Sequence, residues 1–282
     1  MNWAADTAQR AAGRAVIALA LIAAVQACAV DRAAKASAQT PVRVIPAGEA
    51  PWTALNPARG DASPRAATLW GDRNGPEPTG FLVQFNQGFS SPPHIHNVTY
   101  RAVVIEGAIH NDDPQAVPLW MAPGSFWTQP AGEAHITAAD AERNVALVEI
   151  DAGPYLVRPP GTAFDNGERP INIDASNLVW LPFSQASKSE ARIAYLWGDF
   201  TGGDWNGSFL SVPAGFAGTI EANGSRLHGV LIAGRLSYPG PPAQVLEPGS
   251  YLGIQAPGSV GIEAGAEDSV LYIRTNGSYQ LR

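Results

Sequence analysis

The fold is decided by two stretches of sequence, GFSSPPHIHNVTY at residues 88–100 and PGSFWTQPAGEAH at residues 123–135. His94 and His96 are two residues apart, so their side chains share one face of an extended strand. His135 follows a Pro-Ala-Gly turn signal, as a residue on a later strand would. Three imidazoles that leave coordination positions open are a common ligand set for a catalytic metal. We therefore predict a metal site formed by His94, His96 and His135; the competing interpretation is that these histidines are vestigial.

Two halves of the chain resemble each other. The segment Leu69-Trp70-Gly71-Asp72 recurs as Leu196-Trp197-Gly198-Asp199, and several glycines downstream keep the same offset. Within each half the apolar runs are short and are bounded by Gly or Pro, of which the chain has 29 and 24. Such runs predict strands joined by turns, and no long helical pattern follows Val30. The sequence therefore predicts an all-β protein of two repeated domains, with a boundary within residues 158–170.

Composition excludes several classes of protein. The chain has 18 Lys and Arg against 25 Asp and Glu, which gives a net charge of −7, and no run of basic residues occurs. A nucleic-acid-binding protein would normally carry a basic stripe, so we expect no nucleic-acid partner. The single cysteine, Cys28, allows no internal disulfide, no CxxC zinc site and no iron–sulfur cluster.

Residues 1–38 are typical of an export signal and linker. Two arginines precede an apolar run at residues 15–25. As a helix this run would span roughly 16 Å, too short for a bilayer core of about 30 Å. The run leads into Val25-Gln26-Ala27-Cys28, which resembles a bacterial lipobox and predicts lipidation of Cys28. Ordinary cleavage after Ala38 and an uncleaved anchor are the alternatives. All three predict export, and lipidation predicts a periplasmic protein whose only membrane contact is an N-terminal lipid in the outer membrane.

The motif spacing resembles that of the cupin superfamily. Gly88-x5-His94-x-His96-x3-Tyr100-x6-Gly107 is similar to the first cupin motif, and Gly124-x5-Pro130-x-Gly132-x2-His135 is similar to the second. The amino-acid sequence around these two motifs further resembles that of the DUF4437 group, which is related to the cupin half of ChrR-type anti-sigma factors.

This resemblance implies two tandem cupin barrels, of the double-stranded β-helix or jelly-roll type, after the signal segment. Residues 41–165 would form the barrel with the metal site, and residues 170–282 a degenerate copy without metal ligands. In that copy Glu221 and Asn223 stand where the first has His94 and His96. We therefore expect the second barrel to serve in packing or in forming a homodimer.

The first motif has Tyr100 where the family normally has a glutamate ligand. Three-histidine cupins without this glutamate include Fe(II) dioxygenases of the cysteine and β-diketone type. The resemblance thus implies a metal-dependent enzyme on a small organic substrate, with an Fe(II) dioxygenase as the leading hypothesis. Tyr100 could ligate, donate a hydrogen bond or cover the metal, and Tyr100 or Arg101 would orient an anionic group of the substrate. Glu133 or Glu149 could supply a carboxylate instead.

Two other functions stay open. Zn(II) in the same ligand set would lower the pKa of bound water towards 7 and favour lyase, hydrolase or isomerase chemistry. Mn, Ni and Cu are further candidate metals. The ChrR resemblance suggests instead a non-catalytic ligand-binding or sensing module. Elsewhere we expect His110 in a solvated loop, His228 in a structural role, and Trp127 as a candidate pocket residue.

Overall fold

The computed structural model describes residues 42–184, 190–255 and 257–282, and Val42–Arg282 forms one compact unit. The predicted export signal at residues 1–38 and the predicted lipidation site Cys28 lie outside the described residues and stay predictions. Among the residues that are described, no helix has the length and apolar character needed to cross a membrane.

The regular secondary structure of the described chain consists almost entirely of strands. Those up to residue 173 are β1 (Val42–Ile45), β2 (Trp52–Ala54), β3 (Arg65–Trp70), β4 (Thr79–Asn86), β5 (Phe89–Ser90), β6 (Ile95–His96), β7 (Tyr100–Glu106), β8 (Ile109–Asp112), β9 (Phe126–Gln129), β10 (Ile136–Ala139), β11 (Arg143–Ile150), β12 (Val157–Arg158) and β13 (Ile171–Ile173). Those that follow are β14 (Leu181–Pro182), β15 (Arg192–Gly198), β16 (Asn206–Val212), β17 (Ala217–Ala222), β18 (Arg226–Ala233), β19 (Leu236–Tyr238), β20 (Gln244–Leu246), β21 (Tyr251–Gln255), β22 (Gly258–Ala264), β23 (Ser269–Thr275) and β24 (Tyr279–Leu281). Short 3-10 helices lie at Ala47–Glu49, Pro57–Ala62, Pro160–Thr162 and Ala175–Asn177.

Each half builds one large sheet and smaller sheets that complete a jelly-roll barrel. The first half has a seven-stranded sheet in the order β13-β9-β7-β11-β4-β3-β2, together with the sheets β5-β10-β8 and β12-β6. The second half has a seven-stranded sheet in the order β1-β21-β18-β23-β16-β15-β14 and a five-stranded sheet in the order β20-β19-β22-β17-β24. The paired strands run antiparallel, as in β7 against β11. The prediction of an all-β fold of two jelly-roll barrels is confirmed.

The two halves exchange their first strands. β1, the first strand of residues 41–165, pairs with β21 of the second half through Val42 opposite Ile254 and Ile45 opposite Tyr251. β13, the first strand of residues 170–282, pairs in the same way with β9 of the first half. The sheets therefore cross the predicted boundary between residues 41–165 and 170–282, and each barrel completes its large sheet with a strand from the other segment.

The strands of the large sheets are apolar on both faces because both faces are covered. On β7, Ala102 and Val104 belong to the core of the first barrel, while Val103 and Ile105 belong to a second core that the two halves share. This shared core also contains residues of the second half such as Phe209. The inward face of β7 thus serves the first barrel, and its outward face holds the barrels together.

The repeat detected in the sequence is also a repeat of packing. A Cβ atom on Gly80 would lie 2.0 Å from the Trp70 ring, and one on Gly207 would lie 1.9 Å from the Trp197 ring. Each tryptophan therefore lies directly on the backbone of the neighbouring strand, where only glycine leaves room for it.

Candidate metal centre

Backbone pairing brings the three predicted ligands together. His94 forms an isolated antiparallel bridge with His135, just before β10 begins. His96 lies on β6, and its carbonyl accepts a hydrogen bond from Gly132 N at 2.8 Å, which anchors the turn that leads to His135. Ile95, between the two histidines of the first motif, is fully buried. Because alternate residues of a strand point to opposite faces, Ile95 points away from the face that His94 and His96 share.

The three imidazoles converge with one nitrogen each. One nitrogen atom from each of His94, His96 and His135 lies within 4.8 Å of the others. Every Nδ1 donates to a backbone carbonyl: His94 to Pro92 at 2.9 Å, His96 to Leu156 at 3.1 Å, and His135 to Glu133 at 3.1 Å. This arrangement fixes the tautomer that leaves the Nε2 lone pair available. The donor set therefore fits a divalent transition metal bound through three Nε2 atoms.

Burial keeps these imidazoles uncharged. It lowers the pKa of His135 to about 3, with His94 adding to the effect. Burial likewise lowers the pKa of His96 well below its ordinary value, and to a lesser extent that of His94. A neutral imidazole is the form that binds metals, so at neutral pH the cluster does not have to lose protons before it can act as a ligand set.

Tyr100 takes the place of the missing glutamate and is held by a buried polar network. Its hydroxyl donates to Asn111 Oδ1 at 2.8 Å and lies 3.4 Å from Nε2 of His135. Asn111 Oδ1 also accepts from the Thr137 hydroxyl at 2.7 Å, and its Nδ2 donates to Gln129 Oε1 at 2.9 Å. Burial raises the pKa of Tyr100 well above its ordinary range, so the hydroxyl stays neutral. Of the three roles predicted for Tyr100, this placement supports that of a hydrogen-bonding group beside the cluster.

A second tyrosine, Tyr155, borders the cluster. Its ring stacks on His96 with centroids 4.3 Å apart, and its hydroxyl lies 3.2 Å from His96 Nε2. Burial, together with nearby Tyr100, raises the pKa of Tyr155 well above the ordinary value, so this hydroxyl is also neutral. Two neutral hydroxyl groups therefore flank the converging nitrogens.

A cavity of about 420 Å³ opens onto this centre. His94, His96, Tyr100 and Tyr155 line one part of it, and its other walls are largely apolar, including Val83, Phe85, Phe89, Trp127 and Val148. The volume lies within the range of small-molecule sites. The proposed pocket role of Trp127 agrees with this placement.

Arg101 lies on the other face of β7, away from the cavity. Its guanidinium donates to Asp151 at 2.9 Å and lies 3.7 Å from the centroid of the Trp197 ring, between the two barrels. Alternate residues of a strand face opposite sides, so a strand that points Tyr100 inward must point Arg101 outward. The structure thus brings Tyr100 but not Arg101 to the site, and it gives no support to Arg101 as the group that orients a substrate.

Neither of the glutamates considered as alternative ligands reaches the cavity. Glu149 is buried between the barrels, where it accepts a hydrogen bond from Tyr272 at 2.8 Å and pairs with Arg274 at 3.2 Å. Glu133 lines a separate surface cleft beside Phe164. In the described part of the chain, no acidic side chain lines the cavity.

The other two histidines, His110 and His228, lie outside the centre. His110 was expected in a solvated loop, but it lies on β8 and is 2% exposed. That prediction is wrong, because β8 begins at Ile109 and its pairing with β10 buries His110. His228 stacks on Trp70 with centroids 4.5 Å apart and bonds to Tyr251, which agrees with a structural role.

The second barrel carries no equivalent cluster among its described residues. Glu221 pairs with Arg282 at 2.6 Å, and Asn223 donates to Ser278 at 3.3 Å. The one group of metal-ligating side chains found in the described chain is His94, His96 and His135.

Tyr155, Asn111 and Thr137 lie at the site but were not among the predicted site residues. The sequence repeat aligns Tyr155 with Tyr279 of the second half, and this alignment by itself does not indicate a site. Tyr279 does pack, since its hydroxyl bonds to Ser208 at 2.9 Å in the second barrel. Only the fold shows that the equivalent hydroxyl of the first barrel meets a histidine.

Solved structures with a similar fold extend over most of this chain. A candidate dioxygenase from Nostoc punctiforme PCC 73102 is 15% identical, with a TM-score of 0.64 over 83% of this chain and 82% of that chain. A salicylate 1,2-dioxygenase from Pseudaminobacter salicylatoxidans is 12% identical, with a TM-score of 0.55 over 84% of both chains. An oxalate decarboxylase from Lactobacillus farciminis, in complex with formate, is 10% identical, with a TM-score of 0.54 over 85% of this chain and 87% of that chain. At these identities the likeness shows the fold alone.

Comparison of the sequence with family models gives one assignment. No curated protein matches the chain. The model of DUF4437, described as a domain of unknown function, matches residues 43–282, which include both barrels and all three histidines. Because that match covers most of the chain, this protein belongs to the DUF4437 family, and its fold is the double jelly roll that the sequence motifs predict.

Proposed function

We propose that this protein is a metal-dependent enzyme acting on a small organic molecule, and that it is an Fe(II) dioxygenase. The observation that carries the proposal is the convergence of three Nε2 atoms on an apolar-walled cavity that, among the described residues, has no carboxylate in its lining. The dioxygenases with a similar fold are consistent with it.

His94, His96 and His135 would hold the ion. Bound Fe(II) would supply the redox chemistry and the open coordination positions that a reaction of O₂ with an organic substrate requires. The contribution of the chain itself is the fixed geometry of the imidazoles, which the carbonyls of Pro92 and Glu133 orient through the Nδ1 atoms of His94 and His135.

The cavity walls and the two tyrosines would act on the substrate. Apolar side chains such as Phe85 and Trp127 exclude water and contact the body of the substrate. Asn111 fixes the hydroxyl of Tyr100. The hydroxyl of Tyr155 has only His96 Nε2 as a partner in the described chain. Once that nitrogen binds a metal, the Tyr155 proton would be available to a substrate oxygen.

A zinc-dependent lyase, hydrolase or isomerase is the second candidate. The observation that favours it is the ligand set itself, which contains three neutral imidazoles and no carboxylate. Zinc enzymes use such a set with a bound water in the fourth position. Under this alternative Tyr100 and Tyr155 would position the water and the substrate.

Metal analysis followed by O₂ uptake separates these candidates. The full chain is purified without an affinity tag, its metal content is measured, and O₂ consumption is recorded with diketones, catechols and thiols. Stoichiometric iron with substrate-dependent O₂ uptake is the expected result. Bound zinc without O₂ uptake would contradict the dioxygenase hypothesis and favour the zinc-dependent enzyme. A metal-loaded protein that turns over none of these compounds, but binds some of them, would favour the ligand-sensing module.

A matched pair of variants ties the metal to the site. His135→Ala removes one converging nitrogen and should lose the metal. His110→Ala removes an equally buried imidazole from β8, the strand paired with β10 next to His135, and should keep it. Equal metal content in both variants would show that the ion binds elsewhere.

A further inference from the structure

The cavity above the histidine cluster has a single cationic side chain at its edge. Arg59 lines the cavity together with apolar residues such as Phe89 and Val83, and no other lysine or arginine of the described chain does so. No aspartate or glutamate of the described chain lines it either. With neutral histidines below, Arg59 is the one charged side chain of the described residues that a ligand meets in this cavity.

The loop that carries Arg59 is closed by hydrogen bonds at its base. Leu55 N donates to Pro64 O at 2.8 Å, and Asn56 N donates to Ser63 Oγ at 2.9 Å. These bonds tie the two ends of the loop together, so Arg59 is presented from a compact turn instead of a free segment. Leu55 and Asn56, at the base of the same loop, also line the cavity.

The guanidinium of Arg59 has no anionic partner among the described residues. Within residues 42–184, 190–255 and 257–282 it forms no ion pair, and its side-chain contact is the Phe89 ring, 5.9 Å away. Arg101, by contrast, is paired with Asp151 between the barrels. An unpaired arginine beside an apolar cavity attracts an anionic group, to which its fork of donors can form charge-assisted hydrogen bonds.

We propose that the ligand of this cavity is a hydrophobic monoanion, with an aromatic-sized apolar body and one carboxylate or enolate group that pairs with Arg59. The body would lie among Phe85, Phe89 and Trp127, with its far end towards the histidine cluster. The inference rests on the proposed function, because it names the substrate class of the same site. It also assigns to Arg59 the anion-orienting role that was predicted for Tyr100 or Arg101.

Isothermal titration of the full chain with four probes tests the substrate class, once with Fe(II) under anaerobic conditions and once without metal. The probes are 2-naphthoate, the neutral 2-naphthamide, the cationic 2-naphthylmethylamine and the small anion acetate. We expect 2-naphthoate to bind most tightly, because only this probe combines the apolar body with the negative charge. Arg59→Gln should weaken 2-naphthoate by about three- to tenfold, the range for a solvent-accessible charge-assisted contact, and should leave 2-naphthamide unchanged.

Arg65→Gln is the matched control. Arg65 is an exposed arginine on β3, six positions along the chain, and does not line the cavity. This variant should bind all four probes as the wild type does. Equal affinity of the wild type for 2-naphthoate and 2-naphthamide, or an unchanged affinity for 2-naphthoate in Arg59→Gln, would overturn the proposal.

The measurement distinguishes failure of this inference from failure of the proposed function. An anion preference that depends on Arg59 in the metal-free protein supports the substrate class even if the chain takes up no iron. Iron binding through the histidines without any preference for anions would be consistent with the proposed metal enzyme but would contradict the proposed substrate class.

Discussion

The backbones of His94 and His135 exchange two hydrogen bonds, from His94 N to His135 O at 3.1 Å and from His135 N to His94 O at 3.0 Å. Their ring centroids are consequently 4.3 Å apart. The spacing of these two imidazoles is therefore set by a strand pairing and not by flexible side chains. A ligand pair held in this way is pre-organised, so that metal binding requires little rearrangement of the chain.

Removal of one histidine ligand should abolish most of the stabilisation that added metal gives the folded protein. In the wild type, metal at about 100 times its Kd should raise the free energy of unfolding by about 2.7 kcal/mol, because it binds the folded state alone. His135→Ala should lose most of this gain. Thermal unfolding with and without added Fe(II) or Zn(II) checks this, and a variant stabilised as strongly as the wild type would contradict the site.

Tyr100→Phe should impair turnover without loss of metal. The substitution keeps the ring and removes the hydrogen bond to Asn111, at a cost of about 1 kcal/mol in stability. Metal content should not change, because the neutral hydroxyl is a poor ligand. Tyr279→Phe removes another buried tyrosine hydrogen bond, the one to Ser208 in the second barrel, and should leave turnover intact. If Tyr100→Phe alone releases the metal, Tyr100 is a ligand.

Deleting β1 should destabilise the second barrel, although β1 is the first strand of residues 41–165. Its four residues pair only with β21 in the described structure, so their loss exposes an edge of the second large sheet. Hydrogen exchange at Tyr251–Gln255 should become faster, while exchange at Phe126–Gln129, which pairs with β13, should change little. Faster exchange confined to Phe126–Gln129 would be inconsistent with the exchanged strands.

Arg274→Met should destabilise the whole protein. Its guanidinium is 1% exposed and lies 3.2 Å from Glu149 and 2.7 Å from Asp151. The substitution removes the nearer of the two cations beside buried Glu149 and leaves only Arg101, at 4.0 Å. Breaking a buried pair in this way costs about 3–5 kcal/mol. Adding Glu149→Gln should recover part of the loss, as urea unfolding of the single and double variants would show. Strictly additive losses would mean that the two residues do not interact.

His228 should make stability fall in mild acid. Burial, with a contribution from Arg274, lowers the pKa of His228 to about 3 in the folded state. In the unfolded chain the pKa is about 6.5, so between these values the unfolded state binds the proton first, and stability decreases as pH falls, by up to about 1.4 kcal/mol per pH unit. His228→Phe keeps an aromatic ring against Trp70 and removes this titration.

Urea unfolding of the wild type and His228→Phe at several pH values between 4 and 6.5 measures the difference. The slope of stability against pH should be shallower in the variant. Identical slopes would show that His228 does not titrate differently in the folded and unfolded states.

Local patterns predicted much of the site. The two-residue spacing of His94 and His96 and the turn before His135 are features of short segments, which is why their common location could be anticipated. The same period should have excluded Arg101, since it is adjacent to the inward-pointing Tyr100. The positive charge of Arg101 suggested a role with an anion, but strand alternation directs its side chain away from the cavity.

The sequence by itself determined the all-β fold, the internal repeat and the candidate metal ligands His94, His96 and His135. Strand period, turn residues and motif spacing are properties of short contiguous segments, so they can be recognised without the tertiary structure. Only the tertiary structure decided the exchange of β1 and β13, the placement of Tyr155 beside His96, and the position of Arg59 at the cavity. These relationships join residues far apart in the chain, and they depend on which sheet edges pair and which faces become buried. No local pattern carries that information.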